Sequence, residues 1–347
     1  MQDPLIRPLT VTDIREEVHD FKTFVFGALD GNAIQYKSGQ YLTFAHKTHH
    51  DEIRRSYSIT SASVLNEPLS VGVKRIANGA FSRVLIDDTK VGDTLYTVGA
   101  AGFFTLPDDI ERYDTLFFFA AGSGITPIYS LLKTALHLRP RLSIVLVYSS
   151  HSKRQTIFYD ALVRLQQQFS KRFQIEFIFS ENRELVNAHL HSELLIQLLK
   201  TYTTTTKDKT LHFICGPTNY MRMCWYVLQN EGVPAANLRR ESFNSDKVVT
   251  KALPPDVLAH NVVIHQGVSF HHVAAQYPDT ILKAAKKIGI ALPYSCEVGR
   301  CGSCAAKCVE GRVWMSYNEV LTEKELAEGL VLTCVGYPVG GDVVLEL

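Results

Sequence analysis

The 347-residue sequence has almost no net charge, with 36 Lys and Arg against 35 Asp and Glu. Without a surplus of either sign there is no general electrostatic pull toward nucleic acid or an anionic membrane surface, so any partner must be recognised locally. Long apolar runs are missing as well. The strongest, "TLFFFAAGSGITPI" and "LSIVLVY", are too short or too broken by glycine to cross a bilayer. The first residues, "MQDPLIRPLTVTDIREEVHD", lack the basic start and apolar stretch of a signal peptide, which makes the cytoplasm the expected location. There is no internal repeat, and the one low-complexity piece, the threonines of "TYTTTTKDKT" at 201–210, is expected to be an exposed loop. Cysteine is scarce at seven residues, yet Cys296, Cys301, Cys304 and Cys308 fall within thirteen positions. In a reducing compartment such clustering points to metal binding or redox chemistry rather than disulfides.

What is present divides the chain into a multidomain protein. At roughly 150 residues per domain its length allows two or three domains, each able to bury a core. Residues 1–107 alternate apolar and polar positions in short stretches such as "KTFVFGAL", "QYLTFAH", "RRSYSIT", "LSVGVKRI" and "DTLYTVGA", separated by turn formers. This spacing predicts an antiparallel β-barrel or sandwich. From 108 to 243 continuous apolar strands, "DTLFFFAAG", "LSIVLVYSS", "FQIEFIFS" and "LHFICG", alternate with longer helical stretches. That order predicts an α/β domain with a parallel sheet. Residues 244–259, with turn formers and Pro254-Pro255, suit a linker. In the remaining 260–347, "NVVIHQ" is expected to start a new sheet and "DTILKAAKKIG" to form a helix stopped by Gly289.

Cys296, Cys301 and Cys304 have C-x4-C-x2-C spacing, and Cys334 follows after twenty-nine intervening residues. Four thiolates at this spacing hold the two irons of a plant-type [2Fe-2S] cluster. Zinc is the competing reading, but a zinc ribbon shows two short C-x2-C pairs, and only Cys301 and Cys304 form one here. Glycines 299 and 302, with Ser303 and Ala305, suit a loop that approaches a cluster closely with its backbone. Cys308 competes with Cys334 on spacing alone, since C-x3-C also occurs in bacterial clusters.

Through "LPYSCEVGRCGSC" and "LTCVGYP", residues 260–347 resemble a plant-type ferredoxin. The resemblance assigns the fourth ligand to Cys334 and leaves Cys308 as a small buried side chain. Upstream, "RRSYSIT" followed by "VKRIANGAFSRVL" resembles the flavin-binding domain of the ferredoxin-NADP reductase superfamily. That resemblance implies Arg55 on the flavin pyrophosphate, Tyr57 on the isoalloxazine and Ser58 near its N5. Gly79 and Ser82 would lie beside the phosphates, and Val73 and Lys74 on the adenine side. The chemistry agrees, because an Arg fork meets a diphosphate bidentately and an aromatic ring stacks on a flat heterocycle. Taken singly, a polar strand edge or a solvated lysine explains the same residues.

"AAGSGITPI" at 120–128 follows a predicted strand and opens a predicted helix, as a phosphate-binding turn requires. Gly122 and Gly124 would let the backbone approach a pyrophosphate. Pro127 stands where a dinucleotide fingerprint has its last glycine, but the superfamily has G-x-G-x-T-P here, so Thr126 and Pro127 fit it. "CGP" at 215–217 matches a second superfamily mark, which puts Cys215 near the nicotinamide C4 with Gly216 and Pro217 beside it. Cys224 is expected only to pack. After the second strand, "VYSSHSKRQTIF" offers Ser149, His151, Lys153 and Arg154 and no acid, which favours NADPH over NADH. The histidines of "HKTHHD" at 46–51 are expected in a surface loop, and His271 and His272 in a turn.

Over nearly its full length the chain is similar to one-piece flavin and iron–sulfur reductases that feed electrons to oxygenases, most of all to those of the phenylacetyl-CoA epoxygenase type. The implied cofactors are FAD and [2Fe-2S], the reductant NAD(P)H, and the partner a one-electron protein acceptor, with neither nucleic acid nor membrane. Ser58, Thr126 and Cys215 would border the reacting atoms. The alternatives are an FMN-containing reductase of the phthalate dioxygenase type and, from a different class, a redox-sensing iron–sulfur module.

Overall fold

The computed structural model describes residues 5–29, 31–47, 52–184, 188–244 and 252–347. Six strands form the first sheet: β1 (Arg7–Val18), β2 (Phe21–Ala28), β3 (Tyr41–Lys47), β4 (Glu52–Ser58), β5 (Ser70–Lys74) and β6 (Thr94–Ala101). Their order is β4-β3-β6-β1-β2-β5. An antiparallel bridge from Ile59 to Val71 and the Thr60 N–H to Ser70 O hydrogen bond of 2.9 Å join the two edge strands. The sheet thereby closes into the expected antiparallel barrel, and closure removes the free edges that would otherwise invite pairing with other chains. β1 escaped the sequence pattern, because register shifts between Val11 and Asp13 and between Glu16 and Val18 interrupt its alternation. Residues 48–51 of the histidine-rich stretch lie outside the described residues, and His46 itself belongs to β3.

Strands β7 (Thr115–Ala121), β8 (Ser143–Ser150), β9 (Phe173–Phe179), β10 (Thr210–Cys215) and β11 (Leu238–Glu241) form a parallel sheet in the order β11-β10-β7-β8-β9. Alternate residues of β7 serve two cores. Leu116, Phe118 and Ala120 pack with helices α2 (Ile125–Leu138) and α3 (Tyr159–Gln168), following the short α1 (Ala80–Arg83) in chain order. Phe117 and Phe119 pack with α4 (Ser192–Tyr202) and α5 (Thr218–Asn230). Burial on both faces explains the uninterrupted apolar runs of these strands. The chain leaves β7 toward β8 and β9, then returns to β10 on the other side of β7. Between β7 and β10 the order reverses, and ligands of open α/β sheets bind at the carboxyl ends of the strands at such a point. In the threonine-rich stretch Tyr202 ends α4 and buried Thr210 begins β10, leaving only the middle as a loop.

The C-terminal sheet has the order β13-β12-β18-β14-β16, from β12 (His260–Gln266), β13 (Ser269–Ala275), β14 (Ala305–Glu310), β16 (Leu330–Leu332) and β18 (Val343–Glu346). β15 (Val313–Met315) and β17 (Gly336–Pro338) pair as a separate ribbon. Helix α6 (Ile281–Lys287) starts at Thr280, whose side chain accepts the Lys283 N–H at 3.3 Å, and Gly289 beyond its end takes φ +78°. Its Ile281, Leu282, Ala284 and Ala285 cover the sheet, giving the α+β, β-grasp arrangement of a ferredoxin. His271 and His272 lie in β13 rather than in a turn. Their stretch does not read as a strand because β13 is an edge strand with one exposed face. Residues 245–251 of the expected linker lie outside the described residues. Its later part is held down by Asp256, which accepts the Leu258 and Gly340 N–H groups at 2.9 and 2.8 Å and meets His260 Nε2 at 2.6 Å. Those two N–H groups, with His260, hold the Asp256 carboxyl down at about 2.

The chain is organised as two compact units. One contains the described residues within 1–7, 97–103 and 244–347, the other 8–96 and 104–243.

Candidate functional site

Within the larger unit, four backbone segments converge at the carboxyl ends of β4, β7, β10 and β11. The turn after β7 begins with Gly122 at φ +55° and open space where a side chain would be. Gly124 is constrained differently. A Cβ there would collide with the Cys215 carbonyl and come within 2.8 Å of the Gly216 nitrogen, so this glycine is required by the contact between the β7 and β10 turns. Tyr148, fully buried in β8, donates its hydroxyl to the Gly122 carbonyl at 3.1 Å and fixes the turn from below. The Thr126 hydroxyl donates to the Ser123 carbonyl at 2.9 Å, and its methyl group abuts Gly72 of the barrel. Thr126 and Pro127 are buried in the first turn of α2. Pro217 precedes α5, and a Cβ on Gly216 would crowd Ala121 at 2.9 Å.

Cys215 is fully buried, and burial followed by the nearby Glu241 charge pushes its thiol well above the ordinary range. The group is therefore a neutral thiol at neutral pH. Its register partner on β11 is Glu241, whose carboxylate accepts the Ser58 hydroxyl at 3.1 Å. Ser58 ends β4 and is buried. The sequence reading missed Glu241, and no motif marks it: its place follows from the parallel register of β10 with β11. Gly124, Cys215, Glu241 and Ser58 thus form one connected constellation linking the nucleotide-side turn to the barrel.

On β4, Arg55 and Tyr57 share a face through the two-residue period of a strand. Arg55 is exposed, while burial raises the Tyr57 phenol pKa and the Tyr57 ring leans on Phe44 and Phe81 at centroid distances of 6.1 and 6.2 Å. The Ser82 hydroxyl accepts the Ile76 N–H at 3.2 Å across the "NGAF" turn, next to Gly79. Val73 is wholly buried in the barrel and offers a ligand no side chain, whereas Lys74 beside it is exposed. At the end of β8 the Ser149 hydroxyl is a neighbour of the Tyr220 phenol, which burial pushes well up. Lys153 and Arg154 are exposed on a short turn, with the Lys153 ammonium 4.7 Å from the centre of the Tyr159 ring. His151 meets Ser180 Oγ at 3.0 Å. Cys224 sits in the core among Met221 and Val227, as expected of a packing residue.

In the smaller unit the cluster loop brings its thiols together as two pairs. The Cys296 and Cys301 thiols adjoin one another, as do those of Cys304 and Cys334, and Cys334 also feels the charge of Cys296. Within the first pair, the Cys296 thiol and then backbone N–H groups pull Cys301 down to about 5. The Val298 N–H points to Cys296 Sγ at 3.5 Å, and the Gly299 N–H faces Cys334. Among the described residues no group of three or more His, Cys, Asp or Glu side chains is arranged to hold a single metal ion. Two adjacent thiol pairs are what a two-iron centre needs, one pair per iron, whereas a zinc ion needs four donors around one point. The residues therefore fit a [2Fe-2S] cluster. Cys308 takes no part: it is half-buried on β14, with its thiol directed to the Glu310 and Gly311 carbonyls at 3.4 and 3.8 Å.

Three family profiles cover this arrangement in order. Residues 8–106 match "Oxidoreductase FAD-binding domain", 118–225 "Oxidoreductase NAD-binding domain" and 266–339 "2Fe-2S iron-sulfur cluster binding domain". The chain is 31% identical over 345 residues to a subunit of the 1,2-phenylacetyl-CoA epoxidase of Escherichia coli (strain K12), covering 97% of this chain and 96% of that one. It belongs to this family of iron–sulfur flavoprotein reductases. The reductase is also 30% identical over 349 residues to the ferredoxin reductase component of 3-ketosteroid-9-alpha-monooxygenase from Rhodococcus rhodochrous, covering 97% and 96% of the two chains. The solved structure of phthalate dioxygenase reductase has the same fold, with a TM-score of 0.61 at 22% identity over 99% of this chain and 98% of that one. The reductase is thus an NAD(P)H-dependent oxidoreductase with FAD and [2Fe-2S] as cofactors. Among the described residues no helix is long and apolar enough to cross a membrane.

Proposed function

We propose that this reductase carries electrons from NADPH to the oxygenase component of a cytoplasmic monooxygenase of the phenylacetyl-CoA epoxidase type. The observation that carries the reading is the continuous constellation of Gly124, Cys215, Glu241 and Ser58 in the same chain as two thiol pairs fit for two irons. End-to-end similarity to the epoxidase component supports the choice of acceptor. When bound, the flavin takes a hydride from the nicotinamide and the cluster passes electrons on singly. The chain's own residues supply positioning and electrostatics rather than proton chemistry.

In this reading Arg55 meets the flavin pyrophosphate, with Gly79 and Ser82 nearby and Lys74 on the adenine side, and Tyr57 stacks on the isoalloxazine. The Ser58 hydroxyl, held by Glu241, lies at the flavin edge where hydride arrives. Gly122 leaves the turn open to the dinucleotide pyrophosphate at the start of α2. Neutral Cys215 lines the nicotinamide without competing as a nucleophile. Cys296 and Cys301 hold one iron, Cys304 and Cys334 the other.

Purified anaerobically, the protein is expected to carry two irons and one FAD per chain and to oxidise NADPH continuously with ferricyanide or cytochrome c. Zinc in place of iron, or a cluster that reports redox state without turnover, would end this reading. The nucleotide preference has its own test. Replacing Lys153 and Arg154 together by Ala should raise the KM for NADPH roughly 10- to 150-fold, the equivalent of one or more charge-assisted hydrogen bonds, while NADH changes little. Equal effects on the two nucleotides would mean the segment is a solvated loop.

A further inference from the structure

Phe103 lies in the connection from β6 to β7, in the compact unit that holds the cluster loop, and packs against that unit's hydrophobic core. Gly302, at φ +79°, sits under its ring. A Cβ on Gly302 would stand 2.7 Å from Phe103 Cδ2 and 2.8 Å from Cε2, with Val320 Cγ2 at 3.5 Å. Gly302 separates Cys301, of the first thiol pair, from Cys304, of the second. The next residue, Ser303, directs its N–H to Cys301, and its hydroxyl oxygen accepts the Cys301 thiol at 3.6 Å. The ring therefore covers the peptide that joins the two pairs and supplies one of their hydrogen bonds.

The neighbouring stretch of the loop is closed by other means. Gly299, at φ +75°, lies against the Tyr317 carbonyl at 2.9 Å and Val335 Cγ2 at 3.3 Å, measured from where a Cβ would be. The Glu319 N–H donates to the Gly299 carbonyl at 3.0 Å. Between the two glycines, Arg300 pairs with Glu319 at 2.8 Å and donates to the Asn244 carbonyl at 3.2 Å. Tyr317 thus crowds Gly299, and Phe103 crowds Gly302.

We infer that Phe103 is a positioning residue of the iron–sulfur centre, whose ring keeps water from the Cys301–Cys304 peptide and so keeps the cluster potential low. This rests on Cys296, Cys301, Cys304 and Cys334 being the ligands. Reduction adds negative charge to the cluster, and solvent exposure with hydrogen bonds to sulfur sets its potential. Water admitted beside Gly302 would stabilise the reduced form and raise the midpoint. It would also open a route for hydrolytic and oxidative loss of the irons.

The test uses the full-length reductase as wild type, F103A, F103L, F103Y, G302A and F103A/G302A. The midpoint potential is read by anaerobic redox titration with EPR detection, and cluster loss by the decay of visible absorption in air. F103A should raise the midpoint and speed bleaching several-fold, F103L should do so less, and F103Y, which keeps the ring, should match wild type. G302A should perturb the EPR signal and bleaching more in the wild-type background than on top of F103A, because the ring it would strike is then gone and only the left-handed backbone angle is penalised. If F103A does not fold, F103L against F103Y gives the same comparison. An F103A protein with wild-type midpoint and bleaching rate overturns the inference, as does an equal G302A effect in both backgrounds. A wild-type protein without iron would instead overturn the ligand assignment on which it rests.

Discussion

Cys334→Ser is expected to strip the reductase of its cluster absorption and of cytochrome c reduction while ferricyanide reduction persists. The thiol of Cys334 forms a pair with Cys304, and its removal leaves one iron position with a single cysteine thiolate. Loss of even an outer-shell partner costs about 10- to 100-fold in metal affinity, so losing a ligand should exceed that. Ferricyanide can draw on the flavin directly, and the Ser58 to Glu241 bond and the Gly124 to Cys215 contact are remote in sequence from Cys334. Cys308→Ser should retain the cluster, since that thiol addresses two backbone carbonyls. Iron and sulfide analysis, visible spectra and the two acceptor assays decide the matter. A cluster that survives Cys334→Ser and vanishes in Cys308→Ser would mean the fourth ligand is misassigned.

Gly124→Ala should act in the reverse sense, with the cluster and flavin retained and the reductant refused. The added methyl group meets backbone on both sides, the Cys215 carbonyl and the Gly216 nitrogen, so no side-chain rotation relieves it. The β7 and β10 turns must separate by a substantial fraction of an ångström. A misplacement on the order of 1 Å can lower a positioned reaction about 100-fold, which is the loss expected in kcat/KM for NADPH. Dithionite should still reduce the cluster normally, because that reductant bypasses the nucleotide turn. Gly122→Ala makes the useful comparison: its position is sterically open, and the penalty is only that of a left-handed backbone angle. If Gly124→Ala and wild type have the same kcat/KM, the contact with Cys215 does not govern the site.

These two variants also mark what a reader can take from the sequence. The grouping of Cys296, Cys301 and Cys304 was legible because their spacing is a local matter, whereas Cys334 was reached only through the resemblance. Strands β7, β8 and β10 were legible because burial on both faces leaves nothing but apolar residues along most of their length. Gly124 was visible as part of a glycine-rich turn, but the sequence suggested ligand approach, and the structure adds the fit against a strand 91 residues away in the chain. Glu241 was invisible: an acid at the end of a short edge strand carries no pattern, and only its register with Cys215 and reach to Ser58 give it meaning. β1 was lost to two irregularities that break the alternation, and β13 to an exposed face that reads as loop. Contacts distant in sequence account for what was missed at Gly124 and Glu241.

The contact between Phe103 and Gly302 bears on how such proteins can be recombined. The unit that houses the cluster draws on residues near position 100 as well as on the C-terminal stretch, so it is not a cassette bounded by one joint. A chimera joined after residue 251 would inherit the four ligands but receive whatever residue the host offers at position 103. A small host residue there would leave Gly302 uncovered, and a donor loop with a bulkier residue in place of Gly302 would strike the native ring. Exchange of C-terminal portions between reductases should therefore succeed most readily when positions 103 and 302 travel together, a two-site compatibility rule hidden from any boundary drawn on sequence similarity alone.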